Sequence, residues 1–190
     1  MRLALRRKRV TTIATATRSI TLALCTTLLF ANTTLASELF VGAGFGPQPG
    51  SDEHNKSALV DFTFYDHIRS ERQMLSLGSS LTYISNDLND DKLTAFSLYP
   101  ELKLFTHLYG YKSYFHVRAL GPTWLTSKQI GSREQAMHFA LQAQVGVGVY
   151  LDDAQHYQLR LFYRHFSNAN LKQPNDGIDV PFNLALGIKL

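Results

Sequence analysis

From residue 39 onward the apolar side chains recur with period two rather than 3.6, the signature of strands. Leu39, Val41, Ala43 and Phe45 alternate with Phe40 and the glycines 42, 44 and 46. Ala58, Val60, Phe62 and Phe64 alternate with Leu59, Asp61, Thr63 and Tyr65. Leu75, Leu77, Leu81 and Tyr83 mark a third segment; Phe96, Leu98, Leu102 and Leu104 mark a fourth. The fifth is less regular, with Phe115, Val117 and Ala119 against His116 and Arg118. The sixth runs from Met137 to Leu151, and the seventh sets Tyr157, Leu159, Leu161 and Tyr163 against Gln158, Arg160, Phe162 and Arg164. The eighth runs from Val180 to Leu190, with Val180, Phe182, Leu184, Leu186, Ile188 and Leu190 in its apolar row.

Eight alternating segments, each about ten residues long and separated by polar turns, accept two architectures. A soluble barrel turns the apolar row inward; a transmembrane barrel turns it toward lipid and fills its interior with polar and small side chains. The even strand number favours the second, as do aromatic residues near strand ends (Tyr83, Tyr99, Trp124, Tyr157, Tyr163). The expected fold is therefore all-β, an eight-stranded antiparallel transmembrane barrel over residues 37–190. Asp61, Glu101, Lys103, Arg118, Arg160 and Arg164 then face its interior, where opposite charges can pair. His116 and His138 are expected to face inward too.

Residues 1–36 read as an export signal. Arg2, Arg6, Arg7, Lys8, Arg9 and Arg18 form a basic leader, Ile20–Ala31 an apolar stretch, and Thr34-Leu35-Ala36 a small-residue cleavage site. The apolar stretch is shorter than the ~20 residues a spanning helix needs. An Arg- and Thr-rich organellar presequence is the runner-up. A lipoprotein reading founders on Leu24, too large beside Cys25.

Removing the signal reverses the charge. The whole chain has 19 Lys+Arg and 15 Asp+Glu, for a net +4. The signal holds six of the basic residues and no acid, so the remainder carries 13 against 15, a net −2. Nucleic-acid binding loses its electrostatic support. Cys25, the one cysteine, leaves as well, which excludes disulfides, thiol catalysis and thiolate metal sites. The seven histidines lack ligand spacing, so neither a metal nor another cofactor is expected.

The candidate chemistry lies near the C-terminus, in Tyr163-Arg164-His165-Phe166-Ser167-Asn168 and the loop that follows. Residues two apart on a strand share a face, ~7 Å apart along the chain. His165 and Ser167 therefore point the same way, within reach of a hydrogen bond, and Asp179 returns alongside on the next strand. Nucleophile, base and orienting acid fall within one hairpin. Ser, His and Asp are also common at strand ends, and Asn175-Asp176-Gly177 is ordinary turn chemistry.

His165-Phe166-Ser167-Asn168-Ala169, followed by Lys172-Gln173-Pro174-Asn175-Asp176-Gly177-Ile178, resembles the signature of the lipid A 3-O-deacylase (PagL) family. The resemblance implies an outer-membrane barrel that removes the ester-linked acyl chain at position 3 of lipid A. It implies His165 as general base, Ser167 as nucleophile, and Asn168 and Asn175 as motif asparagines near the site. The family's acid is a glutamate where this chain has Asp179, one methylene shorter.

An eight-stranded barrel has an interior just filled by side chains, so acylated substrates cannot enter it. His165 and Ser167 continue the lipid-facing row of the seventh strand, at its outer-leaflet end, where lipopolysaccharide resides. The implied reaction is ester hydrolysis by a Ser167-His165-Asp179 triad, with Asn168, Asn175 and Gly177 as candidate oxyanion donors. One objection is phase: with Val180 and Phe182 outward, an in-register Asp179 faces inward unless a bulge turns it. Asp176 is the alternative acid. Rival readings are a passive or adhesive barrel, and a different outer-membrane lipid hydrolase or acyltransferase. The sequence leaves oligomeric state open, a homodimer included.

Overall fold

The computed structural model describes residues 33–34 and 37–190. The expected export signal lies outside them, apart from Thr33 and Thr34. Eight long strands carry the fold: β1 (Glu38–Pro47), β2 (His54–Ser70), β3 (Gln73–Asn86), β4 (Lys92–Leu108), β5 (Tyr111–Leu125), β6 (Phe139–Tyr150), β7 (Tyr157–Ser167) and β8 (Ile178–Lys189). Each pairs antiparallel with its neighbours in the chain, and β8 pairs with β1, so the sheet closes on itself. Closure pairs each of these eight strands on both sides, the condition for a sheet that crosses lipid.

The connections divide by end. Residues 71–72, 109–110 and 151–156 make short turns at one end. Residues 48–53, 87–91, 126–138 and 168–177 make the connections at the other, two of them long. The loop 126–138 carries a two-residue ribbon, Gln129–Ile130 against Arg133–Glu134, which the hydrophobic pattern is too short to reveal.

The alternation resolves as expected for lipid outside and polar groups inside. Val41, Leu98, Leu161 and Leu184 are each more than half exposed, whereas Asp61, Glu101, Lys103, Arg118, Arg160 and Arg164 are buried. These charges are paired. Arg118 donates to Glu101 at 2.7 Å and to Asp61 at 2.6 Å, Arg164 donates to Asp61 at 2.7 Å, and Arg160 donates to Glu101 at 3.0 Å. Lys103 donates to Glu38 at 2.5 Å. Removing one member of such a network leaves its partner charged and dry, at about 3–5 kcal/mol.

Toward the long-loop end the interior changes character. Ile84, Leu93, Leu125, Ile130, Phe166, Ile178 and Val180 form an apolar cluster. Leu125 enters it because the β5 register shifts between Arg118 and Gly121, which reverses the inward row. Two expectations are corrected here. Val180 is buried and not in the outward row. His116 is buried, but His138 stacks on exposed Trp124 with ring centroids 5.1 Å apart, its Nδ1 2.7 Å from the Leu125 carbonyl oxygen.

Candidate active site

Val180 is displaced by an irregularity in β8. Phe162 pairs with Asn183, but Arg164, two residues on, pairs with Val180, three residues back. Pro181 and Phe182 together thus oppose Tyr163, one extra residue on β8, which is a β-bulge. Proline suits the position because it has no N–H to offer the ladder. Asn183 stabilises the bulge from inside: its amide donates to the carbonyls of Val180 (2.7 Å) and Phe162 (3.2 Å) and accepts from Ser57 (3.0 Å).

The bulge moves Asp179 to the outward face. It now stands directly across the ladder from His165, with Oδ1 2.7 Å from the ring Nδ1. The Asp179 carboxylate is 8% exposed and the imidazole 31%, so the pair is partly dry yet open on the ring side. The hydroxyl of Tyr163 donates to the same Oδ1. The backbone of Asp179 is held as well: its N–H donates to Gln48 Oε1 at 3.2 Å, and its carbonyl accepts from Asn55 Nδ2 at 2.9 Å.

Ser167 is the last residue of β7, opposite Leu141 on β6 and on the same face as His165. The hydrogen bond expected between them is not formed: among the described residues no bond joins the Ser167 hydroxyl to the His165 ring. Such contacts often tighten only when substrate is bound. With Nδ1 engaged by a carboxylate, Nδ1 carries the proton and Nε2 is left as the basic nitrogen.

The 168–177 loop packs against the ring. Gly177 has a φ of +69°, and a Cβ there would lie 2.8 Å from His165 Cε1, so both conformation and space demand glycine. Asn168 is committed to the loop. Its N–H donates to Asn175 Oδ1 (2.8 Å), and its amide donates to the carbonyls of Lys172 (2.7 Å) and Pro174 (3.4 Å). The Asn175 amide donates to Asn170 Oδ1 at 3.0 Å.

Asp176 has a different task from either one considered for it. Its carboxylate accepts the Glu134 N–H at 2.8 Å, its own N–H donates to the Glu134 carbonyl at 3.1 Å, and Arg133 donates to its carbonyl. It therefore joins the 168–177 loop to the 126–138 loop. Arg133 also donates to the Pro49 carbonyl. Behind it, the Glu53 carboxylate accepts from the Ser132 N–H (3.1 Å) and Asn86 Nδ2 (3.0 Å). Burial alone would raise the Glu53 pKa, but the bonds from Ser132 and Asn86 and the charge of Arg133 hold it below the usual value.

Tyr163, Gln48, Asn55 and Asn183 escaped the sequence reading. Tyr163 was visible only as one more strand-end aromatic. Gln48 and Asn55 lie more than a hundred residues from Asp179 in the chain, and only barrel closure brings them to it.

A closed barrel with an apolar outer wall and a charged interior is of the outer-membrane class, and this one carries a His-Asp pair on the outer wall. The lipid A 3-O-deacylase (PagL) profile matches residues 70–188, and the chain belongs to that family. It is a lipid A 3-O-deacylase of the outer membrane. The fold is similar to that of the outer-membrane enzyme PagL, with a TM-score of 0.58, 17% identity, and coverage of 82% of this chain and 99% of that one. It is also similar to Neisserial surface protein A (NspA), with a TM-score of 0.53, 14% identity, and coverage of 83% and 99%. No individual curated protein sequence matches the chain.

Proposed function

We propose that the chain hydrolyses the ester-linked 3-hydroxyacyl chain at position 3 of lipid A through a Ser167-His165-Asp179 triad on its lipid-facing wall. The carrying observation is the 2.7 Å contact of Asp179 with His165 Nδ1 on the outer face, at the long-loop end. His165 Nε2 takes the Ser167 proton as Oγ bonds to the ester carbonyl carbon. The tetrahedral intermediate collapses with cleavage of the bond to the sugar oxygen, which takes the proton from His165. Water then attacks the acyl-serine, giving up its proton by the same route, and the 3-hydroxy acid leaves.

Oxyanion stabilisation falls to backbone N–H groups near Asn175 and Gly177, the latter so near the imidazole that a Cβ would meet it. The Asn168 side chain is less suited, since its amide hydrogens serve the loop. An apolar depression lined by Leu81, Phe96, Leu98, Pro122, Trp124 and Phe139 runs over β3–β6. Pro122 pairs with Leu141, which in turn pairs with Ser167, so acyl chains have a path to the nucleophile. The proposed site residues all come from one chain, and the reading needs no second copy. Residues 1–36 serve in this reading as the export signal.

The test is to incubate the purified, refolded protein with lipopolysaccharide and weigh the lipid A by mass spectrometry. Loss of one 3-hydroxyacyl group is expected, and none from Ser167→Ala or His165→Ala barrels that remain folded. Retained activity in Ser167→Ala would mean that another group or an activated water attacks the ester.

A further inference from the structure

Tyr163 belongs by sequence to the row of Tyr157, Leu159 and Leu161, which meets lipid. A tyrosine in an aromatic girdle turns its hydroxyl to the headgroup region. The Tyr163 hydroxyl instead lies along the sheet and donates to Asp179 Oδ1, the oxygen that also meets His165. Its ring lies nearly parallel to the imidazole, at 10° with centroids 6.5 Å apart. The bulge makes this possible, because Tyr163 is the single residue set against Pro181 and Phe182.

We propose that Tyr163 is a positioning residue for the ester hydrolysis inferred above, on which this inference rests: its hydroxyl fixes the Asp179 carboxylate in line with His165 Nδ1. A carboxylate on a lipid-facing wall is costly unless its oxygens are hydrogen-bonded. Backbone bonds to Gln48 and Asn55 fix where Asp179 stands but leave its side chain free to turn. Two donors converging on Oδ1 remove that freedom, one from each of two residues on the same face of β7.

The surrounding groups are few: Tyr163 and His165 on β7, uncharged Gln48 and Asn55 behind, Gly177 in the last loop, and Ala143 across from His165 on β6. Arg133 adds a favourable charge from the 126–138 loop. Removing the hydroxyl therefore leaves Oδ1 to the imidazole alone and frees the carboxylate to turn out of line with Nδ1.

Tyr163→Phe tests this, since it keeps the ring and its lipid contacts. With lipopolysaccharide as substrate, kcat should fall about tenfold with KM little changed, less than the ~10²–10⁴-fold lost with the base itself. The downfield NMR signal of the His165 Nδ1 proton, recorded in micelles without turnover, should shift in Tyr163→Phe, because its acceptor oxygen loses a second donor. The control Tyr157→Phe, from the same row, should change neither. An unmoved Nδ1 proton signal, or a Tyr163→Phe enzyme with the parent's kcat, overturns the proposal. A moved signal in a protein that leaves lipid A intact would uphold the Tyr163–Asp179–His165 linkage and sink the ester-hydrolysis reading instead.

Discussion

Asp179 faces His165 across the β7–β8 ladder only because Pro181 and Phe182 crowd two residues opposite Tyr163. Side chains alternate along a strand, so without that extra residue Asp179 would point into the barrel and Val180 outward. The geometry also separates the two candidate acids. Asp179→Asn should lower kcat by roughly 10²–10⁴-fold, because an amide at that position favours the wrong imidazole tautomer. Asp176→Asn should stay near the parent, since its remaining oxygen can still accept the Glu134 N–H. Initial rates of 3-hydroxy acid release measure both. A dead Asp176 variant beside an active Asp179→Asn would reverse the assignment.

Asn183 should matter to activity although it lies inside the barrel, facing away from the substrate. Asn183→Leu removes both bonds that satisfy the bulge carbonyls. Each unsatisfied buried carbonyl costs about 1–3 kcal/mol, so the midpoint of denaturant unfolding should fall. Activity should fall further than stability accounts for, because the register of Asp179 relaxes with the bulge. A variant that loses stability but keeps its full rate while folded would show that the bulge stands without Asn183.

Gly177→Ala should abolish most activity in a barrel that still folds. The added methyl would lie 2.8 Å from His165 Cε1, and the backbone there has a left-handed φ that alanine resists. The strain is cheapest to relieve by moving the loop or the ring, and either move separates base from nucleophile. Rate measurements beside an unchanged circular-dichroism spectrum would check it. Gly50 offers a control, since a Cβ there meets nothing within 4 Å.

Acid should loosen the joined loops through Glu53. Its folded pKa is depressed, so its contribution is present above the unfolded value and is lost as pH falls through the folded value. Limited proteolysis within 126–138 by an acid-active protease should accelerate as pH drops from neutral to about 3. Glu53→Gln should start faster and lose part of that pH dependence. Equal pH dependence in the two proteins would assign the effect to another carboxylate.

The sequence by itself determined the barrel, its outward row and its charged interior. Period-two alternation is a local property, and the even strand number and strand-end aromatics favour the apolar row outward over the soluble alternative. His165 and Ser167 were equally legible, because a two-residue spacing on one strand needs no tertiary information. The face of Asp179 was not. It depends on a bulge at Pro181-Phe182 whose stabilising partner, Asn183, reads in sequence as an ordinary inward residue. The companions of Asp179 were hidden for a related reason: Gln48 and Asn55 reach it only once β8 has closed against β1, and Tyr163 reaches it only across the bulge. Alternation specifies which face a residue takes while the register holds, and the tertiary structure decides where the register breaks.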